Sequence, residues 1–132
     1  MNRLEGHIVR ITSSEHCSLV EADVAGEIFS AVVLETPASA AYLRTGHAVA
    51  LLFKETEVAL AKDLAGAVSI RNLFRCRVVS VAWGEILSAI RLEYRGNALQ
   101  SIITTASAKR LALQAGDEVT GMLKSNELTI LA

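Results

Sequence analysis

Residues 1–62 of this chain recur as residues 71–132, without a gap, when shifted by the 70 positions that separate Gly26 from Gly96. The same shift carries Gly46 onto Gly116, Lys54 onto Lys124 and Glu57 onto Glu127. It also carries Val9, Ser18, Leu43 and Val49 onto Val79, Ser88, Leu113 and Val119. A fixed internal period implies two copies of one supersecondary unit, each solving the same burial problem. A unit of about 65 residues is only marginally stable on a core of its own. With 52% hydrophobic residues, such units gain by packing on each other or on further chains, so homo-oligomerisation is expected.

The local pattern is that of strands. In the first copy, residues 7–11, 18–24 and 27–34 alternate apolar and polar side chains, with Ala25-Gly26 as a turn. The Ala-rich stretch 37–43 predicts a short helix, with Thr36 as N-cap, Pro37 in the first helical position and Gly46 as the stop. Strands 48–53 and 57–61 then flank a turn at Lys54-Glu55-Thr56. The second copy repeats the order: strands 77–81, 87–94 and 98–103, a helix over 107–113, and strands 118–123 and 127–131. Gly96-Asn97 is the expected hairpin turn. Five short strands with a helix between the third and fourth is the element order of a small OB-like barrel. The predicted fold is therefore all-β: two tandem OB-like five-stranded barrels, each with one short helix. The domains are expected at 1–65 and 66–132, joined by a short linker over 63–68.

Several functional classes lack their usual signature. Thirteen Lys and Arg stand against fourteen Asp and Glu, so there is no basic excess of the kind that drives duplex binding. The six aromatics, Phe29, Tyr42, Phe53, Phe74, Trp83 and Tyr94, sit mostly in core phase; only Trp83 reads as exposed. An OB-type oligonucleotide-binding module needs a stacking platform, and one ring does not make one. His7, His16 and His47 all fall in the first copy, with no nucleophile or paired carboxylate at a telling spacing, and Glu85 and Glu93 read as solvent-face residues. No enzyme activity and no coordinated metal cation are expected. Cys17 and Cys76 form no CxxC and read as free thiols in a reducing compartment. No leader peptide or membrane span is expected, and the predicted location is the cytoplasm.

The two copies differ in a consistent direction. The second opens with Ser69-Ile70-Arg71-Asn72, for which the first has no full counterpart. It has Thr104-Thr105-Ala106-Ser107 where the first has Leu34-Glu35-Thr36-Pro37, and Lys124-Ser125-Asn126 where the first has Lys54-Glu55-Thr56. Cations, hydroxyls and amides are gained and carboxylates lost. Arg and Lys supply charge, and Ser and Thr supply hydroxyl donors, as a bound oxyanion requires.

These segments carry a resemblance. Ser69-Ile70-Arg71-Asn72 resembles the Ser-x-Arg-Asn opening of the molbindin (Mop) family, also called TOBE domains. The run 103–113 resembles that family's Ile-Thr-x-x-Ser-Ala-x-x-Leu-x-Leu. Gly116-Asp117-Glu118-Val119 and Leu123-Lys124-Ser125 follow in the family's order. The resemblance implies molybdate or tungstate as ligand, for intracellular storage or homeostasis. It implies oxyanion-binding residues Ser69, Arg71, Thr104, Ser107, Lys124 and Ser125, with Asn72 at the strand entrance, and donors drawn from different, mutually packed domains. It implies a homotrimer of two-domain chains.

The first copy departs from the pattern. Leu34 stands for the threonine, Pro37 for the serine, Glu55 beside Lys54 repels a dianion, and only Met1-Asn2-Arg3 stands at the entrance. A cage sized for molybdate leaves the smaller sulfate under-coordinated, so discrimination against sulfate is expected. The competing reading is a regulatory or assembly interaction module of a molybdate transport or sensing system.

Overall fold

The computed structural model describes residues 1–132. Ten strands form: β1 (Asn2–Ser13), β2 (Ser18–Val24), β3 (Glu27–Val33), β4 (Ala48–Phe53), β5 (Ala59–Ala61), β6 (Asn72–Ala82), β7 (Leu87–Tyr94), β8 (Asn97–Thr104), β9 (Glu118–Leu123) and β10 (Thr129–Leu131). One helix, α1 (Thr105–Arg110), follows β8. The strands make two five-stranded sheets, ordered β10-β4-β1-β2-β3 and β5-β9-β6-β7-β8.

That order shows an exchange that alternation alone does not reveal. The expected final hairpins, β4 with β5 and β9 with β10, do not form. Instead β10 pairs antiparallel with β4, Ile130 opposite Leu51, and β5 pairs antiparallel with β9, Leu60 opposite Gly121. The chain therefore divides into two compact units that cross the repeat boundary. One contains residues 1–2 and 54–123, the other residues 3–53 and 124–132. The residues between β4 and β5 turn through a 3-10 segment, Glu55–Glu57, and those between β9 and β10 through Ser125–Glu127. These segments carry the chain away from the strand it has just left, so β5 and β10 each complete the sheet of the other copy.

Within each unit the copies match closely. The β1–β2 register slips between Ile8 and Arg10, and the β6–β7 register slips between Val78 and Ser80, one β-bulge per copy at the repeat spacing. The β2–β3 and β7–β8 hairpins turn on Ala25-Gly26 and Arg95-Gly96, all four residues at positive φ, as a two-residue type I′ loop requires. The second turn thus lies one residue earlier than the expected Gly96-Asn97. Asp23 and Glu93 each accept the N–H of the turn glycine. Strand alternation sends Leu4, Ile8, Val20, Val24, Leu51 and Phe53 into one core and Phe74, Val78, Ile90, Leu92, Tyr94 and Leu123 into the other.

The copies part at the segment after their third strand. In the second, Thr104 accepts the N–H of Ser107 and caps α1, which starts two residues before the expected 107. In the first, no helix forms over 37–43, and the expectation of a helix in each barrel is corrected to one. The cap position there, one repeat before Thr104, is Leu34, whose side chain accepts nothing. Residues 36–43 make isolated turns, Ser39 and Ala40 N–H to Thr36 carbonyl and Leu43 N–H to Ala40 carbonyl. Ser39 Oγ also accepts the Thr36 N–H, which holds the chain in a turn rather than a helix.

Candidate functional site

Thr104 and Ser107 sit where β8 passes into α1. Thr104 Oγ1 accepts the Ser107 N–H at 3.1 Å and donates to Ser107 Oγ at 2.8 Å. That leaves the Ser107 hydroxyl proton to point outward, since a hydroxyl carries one donor. The loop behind is fixed by a buried network: Ser88 Oγ and Thr105 Oγ1 lie 2.7 Å apart, Thr105 donates to Gly84 carbonyl at 2.8 Å, and Thr105 N–H donates to Ile86 carbonyl. Ser18, the first-copy counterpart of Ser88, bonds the Glu35 carbonyl and Ser13 instead.

Thr104 and Ser107 border an open groove of about 380 Å³, with Leu87, Ile102 and Ile103 on one side and residues 56–59 on the other. Residues 56–59 come from the first copy's turn. Ser101, fully buried, donates to the Val58 carbonyl at 2.7 Å and holds that segment down. The exchange therefore sets Thr56 beside the Thr104–Ser107 pair, in the unit that also contains Lys54, whereas Lys124 and Ser125 belong to the other unit. Sequence reading missed Thr56. The repeated Lys-x-x-Glu turn is visible in the chain, but nothing in it says which copy the turn serves.

The remaining predicted residues divide as follows. Ser69 and Arg71 are exposed, just before β6, in the same unit as Thr104 and Ser107. Asn72 opens β6, opposite Leu123, and is buried. Its counterpart Asn2 opens β1, is also buried, and exchanges two 2.8 Å bonds with the backbone of Gln100. Lys124 is exposed, and its backbone N–H donates to Glu127 Oε1 at 3.3 Å. Ser125 Oγ lies 2.7 Å from the Oγ of buried Ser30 in β3.

Charges near the turns are arranged unequally. Glu55 takes the Met1 ammonium at 2.6 Å, and this bond holds its carboxyl below the usual range. Lys62 lies in the segment joining the copies. It donates to the Leu111 carbonyl at the C-terminal end of α1 and to Asp117 at 3.0 Å. Asp117 also accepts the Gln114 N–H, and the two bonds together lower its pKa.

Two five-stranded sheets that exchange their last short strands, one of them followed by a capped helix, define a tandem small-β-barrel architecture. Residues 68–130 match the TOBE domain family. The molybdenum-pterin-binding protein 1 of Clostridium pasteurianum is 36% identical over 67 residues, half of this chain and 98% of that protein. The molybdenum import ATP-binding protein ModC of Brucella abortus is 31% identical over 112 residues, 84% of this chain. The chain spans only 29% of that relative's length. The fold matches a structure of the cytoplasmic molybdate-binding protein ModG, solved with molybdate bound, with a TM-score of 0.92 over 98% of this chain and 94% of that one, at 21% identity. The chain belongs to the TOBE-domain (Mop) family.

Proposed function

We propose that this protein binds molybdate or tungstate noncovalently, as a cytoplasmic store or buffer, and that its role is binding rather than catalysis. The observation that carries the reading is the Thr104–Ser107 pair. Thr104 spends its single donor on Ser107, so the outward proton belongs to Ser107 and suits an acceptor-only ligand. A tetrahedral oxyanion is such a ligand. The first copy, with Leu34 and Pro37 at these positions, offers neither hydroxyl. Relatives named for molybdenum support the choice of oxyanion.

In this reading Ser69, Arg71, Ser107, Lys124 and Ser125 are the ligand donors. Thr104 orients Ser107, and buried Asn72 fixes the start of β6. Arg71 and Lys124 supply the charge that offsets a dianion. Self-association as a homotrimer is part of the proposal. The test is isothermal titration with molybdate, with sulfate as competitor, on wild type, Arg71→Ala and Ser107→Ala, beside sedimentation equilibrium. Binding that resists sulfate and falls by at least about tenfold in either variant is expected, each having lost a charge-assisted bond. No heat from a folded oligomer would overturn the reading.

A further inference from the structure

We propose that Ser30, a buried residue of the first copy, is the positioning residue for the Ser125 hydroxyl in the oxyanion site, an inference that rests on the molybdate reading above. Ser30 lies in β3 and is 2% exposed, and its Oγ is 2.7 Å from the Oγ of Ser125. Both residues belong to the same compact unit, because the exchange brings residues 124–132 onto the first copy's sheet.

The backbone of the Ser125–Glu127 turn is fixed without Ser30. Glu127 N–H donates to the Lys124 carbonyl at 3.0 Å, and Lys124 N–H donates to the Glu127 carboxylate. The serine side chain is a separate matter. A half-exposed serine has three staggered χ1 wells and a freely rotating hydroxyl. The bond to Ser30 selects one well, and the packed strand behind Ser30 keeps it there.

Proton accounting gives the bond a direction when ligand is bound. An oxyanion is acceptor-only, so Ser125 must give it its single proton. Ser125 Oγ then has only lone pairs to offer Ser30, and Ser30 becomes the donor. The chain Ser30 O–H to Ser125 O–H to oxyanion runs one way, and each bond polarises the next. Without ligand the Ser30–Ser125 proton can lie either way. Ser30 thus reaches the ligand only through Ser125.

The equivalent positions in the other unit carry no such relay. One repeat on from Ser30 stands Gln100, whose backbone N–H and carbonyl are both taken by Asn2. One repeat before Ser125 stands Glu55, whose carboxylate accepts the Met1 ammonium and, with its pKa lowered, has no proton to give at neutral pH. The fold is repeated and the hydroxyl pair is not, so the fold does not require the pair.

The experiment is a double-variant cycle read by isothermal titration with molybdate on wild type, Ser30→Ala, Ser125→Ala and the double variant, with melting followed in parallel. Each single change should weaken binding by roughly five- to tenfold, the worth of one such hydrogen bond. The double variant should bind no more weakly than Ser125→Ala, because Ser30 acts through Ser125 alone. Ser30→Thr, which keeps the hydroxyl, should restore most of the affinity. If Ser30→Ala melts near assay temperature, Ser30→Cys is titrated in its place and should show the same loss. Wild-type affinity in Ser30→Ala beside weakened Ser125→Ala would overturn the positioning role while leaving the molybdate reading intact. So would losses that multiply in the double variant. A wild type that does not bind molybdate overturns the reading itself.

Discussion

Residues 34–43 and 104–113 occupy the same place in two copies of one unit, yet one is a string of turns and the other begins with a capped helix. The difference starts at a single side chain. Thr104 caps α1 and orients Ser107, whereas Leu34 lies exposed and does neither. Residue 35 bonds the chain through its carbonyl to Ser18, whereas residue 105 bonds through its hydroxyl to Ser88 and Gly84. Helix and hydroxyl pair are absent together from the first copy, because the side chain that begins α1 is also the one that bonds Ser107. The lesson is local: a repeat can keep its strand order while the segment after its third strand is rebuilt.

The strongest way to break this comparison is in the sheet, where the copies should be interchangeable. Gly121 lies opposite Phe74, and a Cβ there would run into the Phe74 ring. The repeat-equivalent residues are Leu4 and Leu51, both buried on neighbouring strands. Each copy fills the same space differently, a large ring over no side chain or two leucines. Gly121→Leu alone should destabilise by about 3 kcal/mol through overpacking. Adding Phe74→Leu should recover most of it, since volume is then restored. Chemical denaturation of the two variants decides. If the double variant is no better than the single, the copies are not equivalent cores.

How much of this was legible in the chain follows from the same contrast. The strands, the glycine turns and the core phases could be read because alternation and positive φ are written in consecutive residues. The exchange of β5 and β10 could not. Each is three residues long, and the residues before both look alike, so no local signal says which sheet a strand will complete. The helix expected over 37–43 does not form because the position equivalent to the Thr104 cap is Leu34, and an Ala-rich run this short does not hold a helix without its cap. For the site, the residue types of the second copy are visible, but the bond of Ser125 to Ser30, and the sharing of one groove by Thr56 and Thr104, depend on the exchange.

A smaller effect sharpens the comparison at the cap. Thr104→Leu copies the first repeat into the second. It should cost about 1 kcal/mol as the cap is lost. Molybdate affinity should fall with it, as Ser107 loses the bond that aims it. Titration beside thermal melting separates the two losses. Thr104→Ser, which keeps cap and hydroxyl, should lose little of either. Full molybdate affinity in Thr104→Leu would show that cap and site are independent.

The linker offers a pH test. Asp117, held below its ordinary value by Gln114 N–H and Lys62, is favoured as the carboxylate in the folded state. Its contribution is complete above the unfolded value of 3.8 and disappears as pH falls through the lower folded value. Lys62→Met should therefore lower the melting temperature at neutral pH, with the gap from wild type narrowing below about pH 4. A gap that stays constant into acid would mean that Lys62 acts only through the Leu111 carbonyl.

The smallest effect returns to the uncapped loop. With no helix ladder, residues 35–42 are tied by Tyr42, whose hydroxyl donates to Glu35 at 2.6 Å. Burial and this bond push the Tyr42 pKa up from 10.0 to about 12. A raised folded value means the contribution is full below 10.0 and is lost as pH rises through about 12. Glu35→Gln should bring the phenol's titration, followed by ultraviolet absorbance against a Tyr42→Phe control, back toward the ordinary value. The melting temperature should drop by no more than a degree or two, since a partly exposed bond of this kind contributes little. The second copy has no tyrosine at the position equivalent to Tyr42, where Ala112 stands, so the bond is particular to the loop that lost its cap. If Glu35→Gln leaves the titration unmoved, burial alone raises the phenol, and the uncapped loop is held by its turns rather than by this pair.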